Sequence, residues 1–324
     1  MTPHKAPIIG MLALVAVLVL SSLGGPLAAA SWHSIQTDAQ STDIPTPVFV
    51  WDGGGADNLA STAANWVGDI APYAGVTVRF AGNSTKNCTW DLAITLDEFL
   101  VWATYTGTIT LTASVTAGYL DISGGTITQG SPYAHKLVVN GYANIEAKTT
   151  EAGTINIKAS GKSQLYFDIG YSNRLRNLEV TGTYTNYGYI YMCGTLLVNG
   201  TLTLNGHIFN YNSADIGVRG SGTVQSTSTY SYNMNSPSSG TTLTPAFEPT
   251  ITGLNLVFSN NGNPAAYETF KIGNDISVKS IATPSGTTVS GLIVDMNGKA
   301  VTATNIYINK NATLTNTGAV NTLR

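Results

Sequence analysis

Apolar and polar residues alternate in short runs along most of this chain. "TITLT" (108–112), "YLDIS" (119–123) and "KLVVN" (136–140) are followed by "NIEA", "TINIK" and "NLEVT". A period of two marks β-strands, whose successive side chains point to opposite faces. The spacing of the runs constrains the fold further. Ile109, Ile127 and Ile145 lie 18 residues apart, Leu120 and Val138 share that interval, and Asn156 follows 18 later between Ile155 and Ile157. The run centres therefore step by 11, then 7, then 11, then 7. After a slip near residues 158–177 the interval returns in Val180, Val198 and Ile216, and in Ile190 and Ile208. Phe258, Ile276 and Val294 keep it, and Met296 leads to Leu314.

A fixed short period predicts stacked structural repeats. A coil of about 18 residues holds two or three short strands with sharp corners, so residue i lies over residue i+18 and the apolar side chains form ladders. The expected fold is all-β, a right-handed parallel β-solenoid (β-helix). The alternative is a set of antiparallel β-sandwich domains, which also place strands every 8 to 12 residues. Composition agrees with an all-β chain: Thr, Val, Ile and Tyr favour strands, while Gly (34 residues) and Asn favour corners. Charged residues make up only 10% of the chain, against about 25% in ordinary soluble domains. The net charge of −3, without a basic stripe, argues against nucleic acid as a partner.

By texture the chain divides into a signal peptide at 1–30, a polar leader at 31–47, and a solenoid at 48–224 whose N-terminal cap covers about 48–100. Residues 225–250 lose the alternation and gain Ser, Thr and Pro, which predicts a linker or long loop. Residues 251–324 form a second solenoid segment, and ladder texture runs to Arg324, as in a secreted end or a fragment of a longer protein. The signal reading rests on His4 and Lys5, an apolar run from Ile8 to Leu20, and Ala28-Ala29-Ala30 at the cleavage position. That run is shorter than the ~20 residues a membrane anchor needs, so no membrane span is expected in the mature chain. Export makes the N-x-S/T sequons at Asn83, Asn87, Asn199 and Asn311 candidate glycosylation sites. It also permits a disulfide between Cys88 and Cys193, although two separate buried thiols fit the sequence equally well.

The stretch "WDGGGADNLASTAANW" (51–66) sits at the head of the first segment. Three glycines between two acids can form a phosphate or metal cradle, or a turn. The calcium-binding nonapeptide requires tandem "GGxGxD" copies, and the single "GGGAD" here is one residue short. The reading preferred on chemistry makes Gly53, Gly54 and Gly55 a turn, Asp52 and Asp57 turn caps, and Trp51 and Trp66 a structural cap over the open end of the ladder. With "APYAGVTVRFAG" and "STKNCTWDLAITLDEF", the stretch resembles the head pattern of secreted β-helical surface proteins, namely autotransporter-type passenger repeat regions and related adhesin-like proteins. "GTLLVNGTLTLNG" (194–206) and "NIYINKNATLTNTG" (305–318) resemble their ladder repeats. One departure is Asn-Leu-Ala-Ser at 58–61, where such proteins often carry a second tryptophan. The resemblance implies architecture and export; the pattern carries no catalytic residues.

Motifs for chemistry are sparse. "NIKASGKS" (156–163) approaches a P-loop, but Asn156 replaces its first glycine and no helix pattern follows. "GxSxG" and "HExxH" are absent, and His33, His135 and His207 are far apart, so no catalytic residue, metal site or cofactor is expected. Asp168 and Glu179, near Arg174 and Arg176, form the most charged patch and the best candidate for a carbohydrate-active cleft. In "YTNYGYIYM", Tyr187, Tyr189 and Tyr191 fall on one side of a strand, outward if Ile190 points inward. Such a row can stack on sugars, or can simply form a stabilising cross-coil ladder. The expectation is a secreted or cell-surface structural and adhesive solenoid without catalytic activity. Its partners would be extracellular polysaccharide or cell-surface glycan, or copies of itself through the solenoid ends. The alternative is a carbohydrate-active β-helix, a polysaccharide lyase or glycosidase.

Overall fold

A computed structural model describes residues 46–146, 155–168, 171–211, 216–226, 229–236, 242–260, 268–283 and 292–317. The signal segment and the leader as far as residue 45 lie outside the described residues. Among the described residues there are 26 strands, two 3-10 turns (Ala63–Asn65 and Tyr171–Asn173) and no α-helix. The strands stack as a parallel β-solenoid of about 9 turns. Register excludes the antiparallel sandwich. Thr95–Val101 runs parallel to Val115–Ile122, Thr183–Met192 to Thr201–Asn210, and Ser231–Ser236 to Asn255–Asn260.

Alternation decides which side of each strand faces the core. In Thr201–Asn210, Leu202, Leu204 and Ile208 are fully buried, while the Thr201, Thr203, His207 and Phe209 positions between them are part-exposed. Each buried leucine or isoleucine contributes roughly 1.5–3 kcal/mol relative to exposure. One coil cannot bury these side chains alone, so adjacent coils stabilise one another.

Coil length differs from the sequence expectation. A step of 18 holds where Thr183 lies on Thr201, Val180 on Val198, and Ile109 on Ile127. Elsewhere Thr77 lies on Glu98, Leu120 on Ala143, Ser231 on Asn255 and Thr223 on Thr250, steps of 21, 23, 24 and 27. Ile145 therefore meets Ile122, not Ile127, and Ile276 meets Val301. Val138 is not an inward residue; Leu137 and Val139 on either side of it are. A one-residue shift reverses the face of a strand, so an even count that misplaces the strand centre also misplaces the core.

Glycine sets the tightest corner. Gly161, Gly182, Gly200 and Gly222 stack on successive coils. A Cβ on Gly182, Gly200 or Gly222 would lie 1.8, 2.0 or 2.0 Å from the carbonyl oxygen of the glycine one coil earlier. Each of those oxygens accepts a 2.8 Å hydrogen bond from the next coil's threonine, Thr183, Thr201 or Thr223. The corner cannot open without losing that bond.

Within 225–250, expected to be a linker or long loop, the described residues include strands of the solenoid. Ser231–Ser236 and Thr242–Leu243 are strands, and the former pairs with both Thr201–Asn210 and Asn255–Asn260. Thr223–Ser226 likewise pairs onward with Thr250–Thr252. The two expected solenoid segments are thus one stack within Pro45–Arg324. Composition misled here because the inward residues, Tyr232 and Met234, are separated by Asn233 and flanked by Ser231 and Asn235.

Candidate functional site

The strand Thr183–Met192 turns Tyr184, Asn186, Ile190 and Met192 inward. Tyr187, Tyr189 and Tyr191 consequently face outward, with Tyr189 50% exposed. The inward Tyr184 hydroxyl is satisfied, donating to the Val139 carbonyl at 3.0 Å and accepting from the Gly161 amide at 3.0 Å. The outward rings need another partner, and the next coil supplies it. Tyr189 stacks on His207 (5.6 Å between centroids, 10° between planes) and Tyr191 on Phe209 (4.7 Å, 10°). Tyr211 lies 6.2 Å from Tyr191, and Tyr230 meets the His207 ring edge-to-face at 5.3 Å. On the preceding coil, Tyr166 is opposite Tyr187 in register and is 45% exposed. A second stack, Tyr119 on Tyr142, lies at 5.3 Å.

Stacking along the coil direction turns many ring faces toward each other. Tyr189 and Tyr166 remain exposed, and Tyr187, Tyr191, His207 and Phe209 part-exposed. The arrangement combines flat apolar area with polar tips, fixed on hydrogen-bonded strands that lose little freedom when a partner docks. Burial moves the His207 pKa below the ordinary imidazole value, and its Nδ1 lies 2.8 Å from the Ser231 hydroxyl and 3.3 Å from the Ser231 amide. His207 and Phe209 were not identified from sequence, although each sits 18 residues after a tyrosine that was.

The remaining expected positions are spread over the stack. Trp51 and Trp66 are fully buried, edge-to-face at 5.2 Å, and both rings lie 5.8 Å from Phe80. Their indole N–H groups donate to the carbonyls of Lys86 (3.1 Å) and Ala60 (2.7 Å). Gly53 has φ +63°, and a Cβ on Gly54 or Gly55 would strike Ala64 O or Asn65 Oδ1 at 2.8 and 2.7 Å. The three glycine amides are already used, by Asn65 O, Asp52 Oδ1 and Asn65 Oδ1, so they form no anion cradle. Asp57 accepts from the Leu59 amide, Thr62 and Asn65, and these bonds hold its carboxyl below the ordinary value.

Among the described residues no group of His, Cys, Asp and Glu could hold a metal ion. The near-P-loop segment is two strands, Asn156–Ala159 and Lys162–Asp168. The side chain of Asp168 lies outside the described residues; its backbone pairs with Glu146 and Tyr189. Glu179 is opposite Lys158 and Leu197 in register, not opposite another acid. It accepts from Lys136 at 2.6 Å and Lys158 at 3.2 Å. Burial opposes its charge, but these bonds and the two positive charges outweigh that and hold the carboxyl below the ordinary value. Asn83, Asn87, Asn199 and Asn311 are all exposed. Cys88 and Cys193 are free thiols, and burial raises the pKa of both. Comparison with family models, with curated proteins and with solved structures returned no match.

Proposed function

We propose that this chain is a secreted or cell-surface structural and adhesive solenoid without catalytic activity. Its partner surface is the aromatic face of Tyr166, Tyr187, Tyr189, Tyr191, His207 and Phe209, and its partner is extracellular polysaccharide or cell-surface glycan. One observation carries this reading. Large aromatic side chains stand outward from a sheet whose inner side is already filled by Ile190, Met192, Leu202, Leu204 and Ile208. Ladder stability alone would be served by threonine or valine at such positions. Tyrosine adds hydroxyl groups that hydrogen-bond sugar hydroxyls and ring area that packs against sugar C–H faces. Export follows from the signal-like segment at 1–30, and the four exposed sequons are the proposed glycan acceptors.

Replacing Tyr187, Tyr189 and Tyr191 by serine should lower binding to glycan-bearing cells or immobilised polysaccharide at least tenfold. Circular dichroism should still report β-structure at the assay temperature. Unchanged binding by a folded triple variant would remove the aromatic face as the partner surface. Polysaccharide turnover by the purified chain, lost in Asp168→Asn, would overturn the non-catalytic reading in favour of a carbohydrate-active β-helix.

A further inference from the structure

A cavity of about 300 Å³ opens over the short strands Lys136–Val139, Asn156–Ala159, Asn177–Val180 and Leu196–Val198. That volume is at the small end of ligand sites, and fits one or two sugar units. Parallel stacking brings residues 43 apart into contact here, Lys136 with Glu179, and Lys158, which does not itself line the cavity, bonds the other oxygen of Glu179 at 3.2 Å. Two ammonium groups converge on one carboxylate, leaving one positive charge in excess. Exposed ion pairs contribute only about 0–1 kcal/mol, so the fold gains little from this asymmetric trio.

The wall beside the trio is built and held. Asn156 is 5% exposed, and its Nδ2 donates to the carbonyls of Tyr133 (2.6 Å) and His135 (3.1 Å). Its Oδ1 accepts from Asn177 Nδ2 at 2.8 Å, and Asn177 Oδ1 accepts from the Thr195 amide at 2.7 Å. Gln129 clasps the same loop through both the N–H and the C=O of His135. Tyr133 sits at φ +58°, a conformation bulky residues seldom adopt, with the Arg176 guanidinium 4.3 Å above its ring. Strained backbone held by over-determined hydrogen bonding is characteristic of ligand clamps. Leu197, at the far side, supplies part-exposed apolar surface.

We propose that this groove binds a saccharide bearing a carboxylate. The ligand carboxylate is taken by Lys136 and Lys158, and the sugar body lies along Leu197 and the Asn177–Thr195 row. The Glu179 carboxylate occupies both ammonium groups, so it competes with the ligand carboxylate and limits affinity. The inference extends the glycan-binding reading but uses residues separate from the aromatic face, so each can fail alone.

The test is calorimetric titration of the full chain with a hexuronic-acid oligosaccharide, a neutral hexose oligosaccharide of equal length, and acetate. The acidic oligosaccharide should bind, weaken with rising salt, and weaken at least tenfold in a Lys136→Met, Lys158→Met double variant. Glu179→Gln should tighten binding, a gain that a folding defect cannot imitate. Serine at Tyr187, Tyr189 and Tyr191 should leave it unchanged. Equal binding of the neutral oligosaccharide, equal binding of acetate, no binding of the acidic one, or indifference to both lysine and glutamate changes would each overturn the proposal.

Discussion

Two stretches of the solenoid solve the same packing problem with different lengths of chain. Between Thr183–Met192 and Thr201–Asn210 a coil takes 18 residues, and ten consecutive positions stay in register. Between Thr223–Ser226 and Thr250–Thr252 it takes 27, and three positions pair. The inward residues nevertheless stack in both, Ile190 on Ile208 in the short coil and Val224 on the part-buried Ile251 in the long one. Register is therefore kept in space by strands, not in sequence by a fixed count. In the described coil from Leu120 to Ala143, the longest connection lies between Thr126–Thr128 and Lys136–Val139, where added length costs little entropy. The short coil has no such slack. Its Gly200 stands against the Gly182 carbonyl, and on its outer face Tyr189 and Tyr191 stack on His207 and Phe209.

The largest effect should come from closing the slack the short coil lacks. Gly200→Val places side-chain atoms where the Gly182 carbonyl stands. It should cost about 3 kcal/mol or more, measured as the urea midpoint at unchanged m-value. A cost under 1 kcal/mol would show that the corner can open, and that the glycine column is not what fixes the short coil. Next comes Asn186, fully buried in the same coil between Leu165 and Leu204, with both amide atoms lacking a hydrogen-bond partner. Nothing in the structure explains that polar group in an apolar ladder. Asn186→Leu should raise stability by about 1–3 kcal/mol, by removing the desolvation penalty. Destabilisation would mean the position serves something other than packing.

Acid should distinguish the regions less strongly. In the long coils, burial opposes ionisation of Asp295, but hydrogen bonds from Thr317 and Asn297 outweigh it and hold its pKa below 3.8. In the short coils Glu179 is held below 4.5 by its lysines. A carboxylate with a depressed folded pKa contributes stability that is complete above its unfolded value and is lost as pH falls through the folded one. The melting temperature should thus hold above pH 4.5 on account of these groups and decline below it. Asp295→Asn and Glu179→Gln should each flatten part of that decline, and a profile unchanged in both variants would contradict the assignment. Smallest of all should be a Gly-Ser pair inserted within 261–267, between Asn255–Asn260 and Glu268–Lys271. It should shift stability by about 0.5 kcal/mol or less. The same pair inserted between Asn199 and Gly200 should cost several times more.

Much of this could be read from the residues. Alternation in "TLTLNGHIFN" assigns Leu202, Leu204 and Ile208 to the interior before any partner is known, because a pleated strand leaves no other choice. The outward side of Tyr187, Tyr189 and Tyr191 follows from Ile190 by the same rule. The glycines and aspartates of the opening loop are legible as turn chemistry, since their hydrogen bonds are local. What needed the tertiary structure was every statement about which coil lies on which. Leu120 rests on Ala143 and Lys136 reaches Glu179 because corners of unequal length intervene, and corner residues carry no periodic signal. Strand identity and facing are properties of neighbouring residues, so sequence alone determined them where the alternation is clean, as in Thr201–Asn210, but not at Val138 or in Ser231–Ser236. The stacked aromatic face and the lysine–glutamate groove depend on distances across coils, which only the packed solenoid decided.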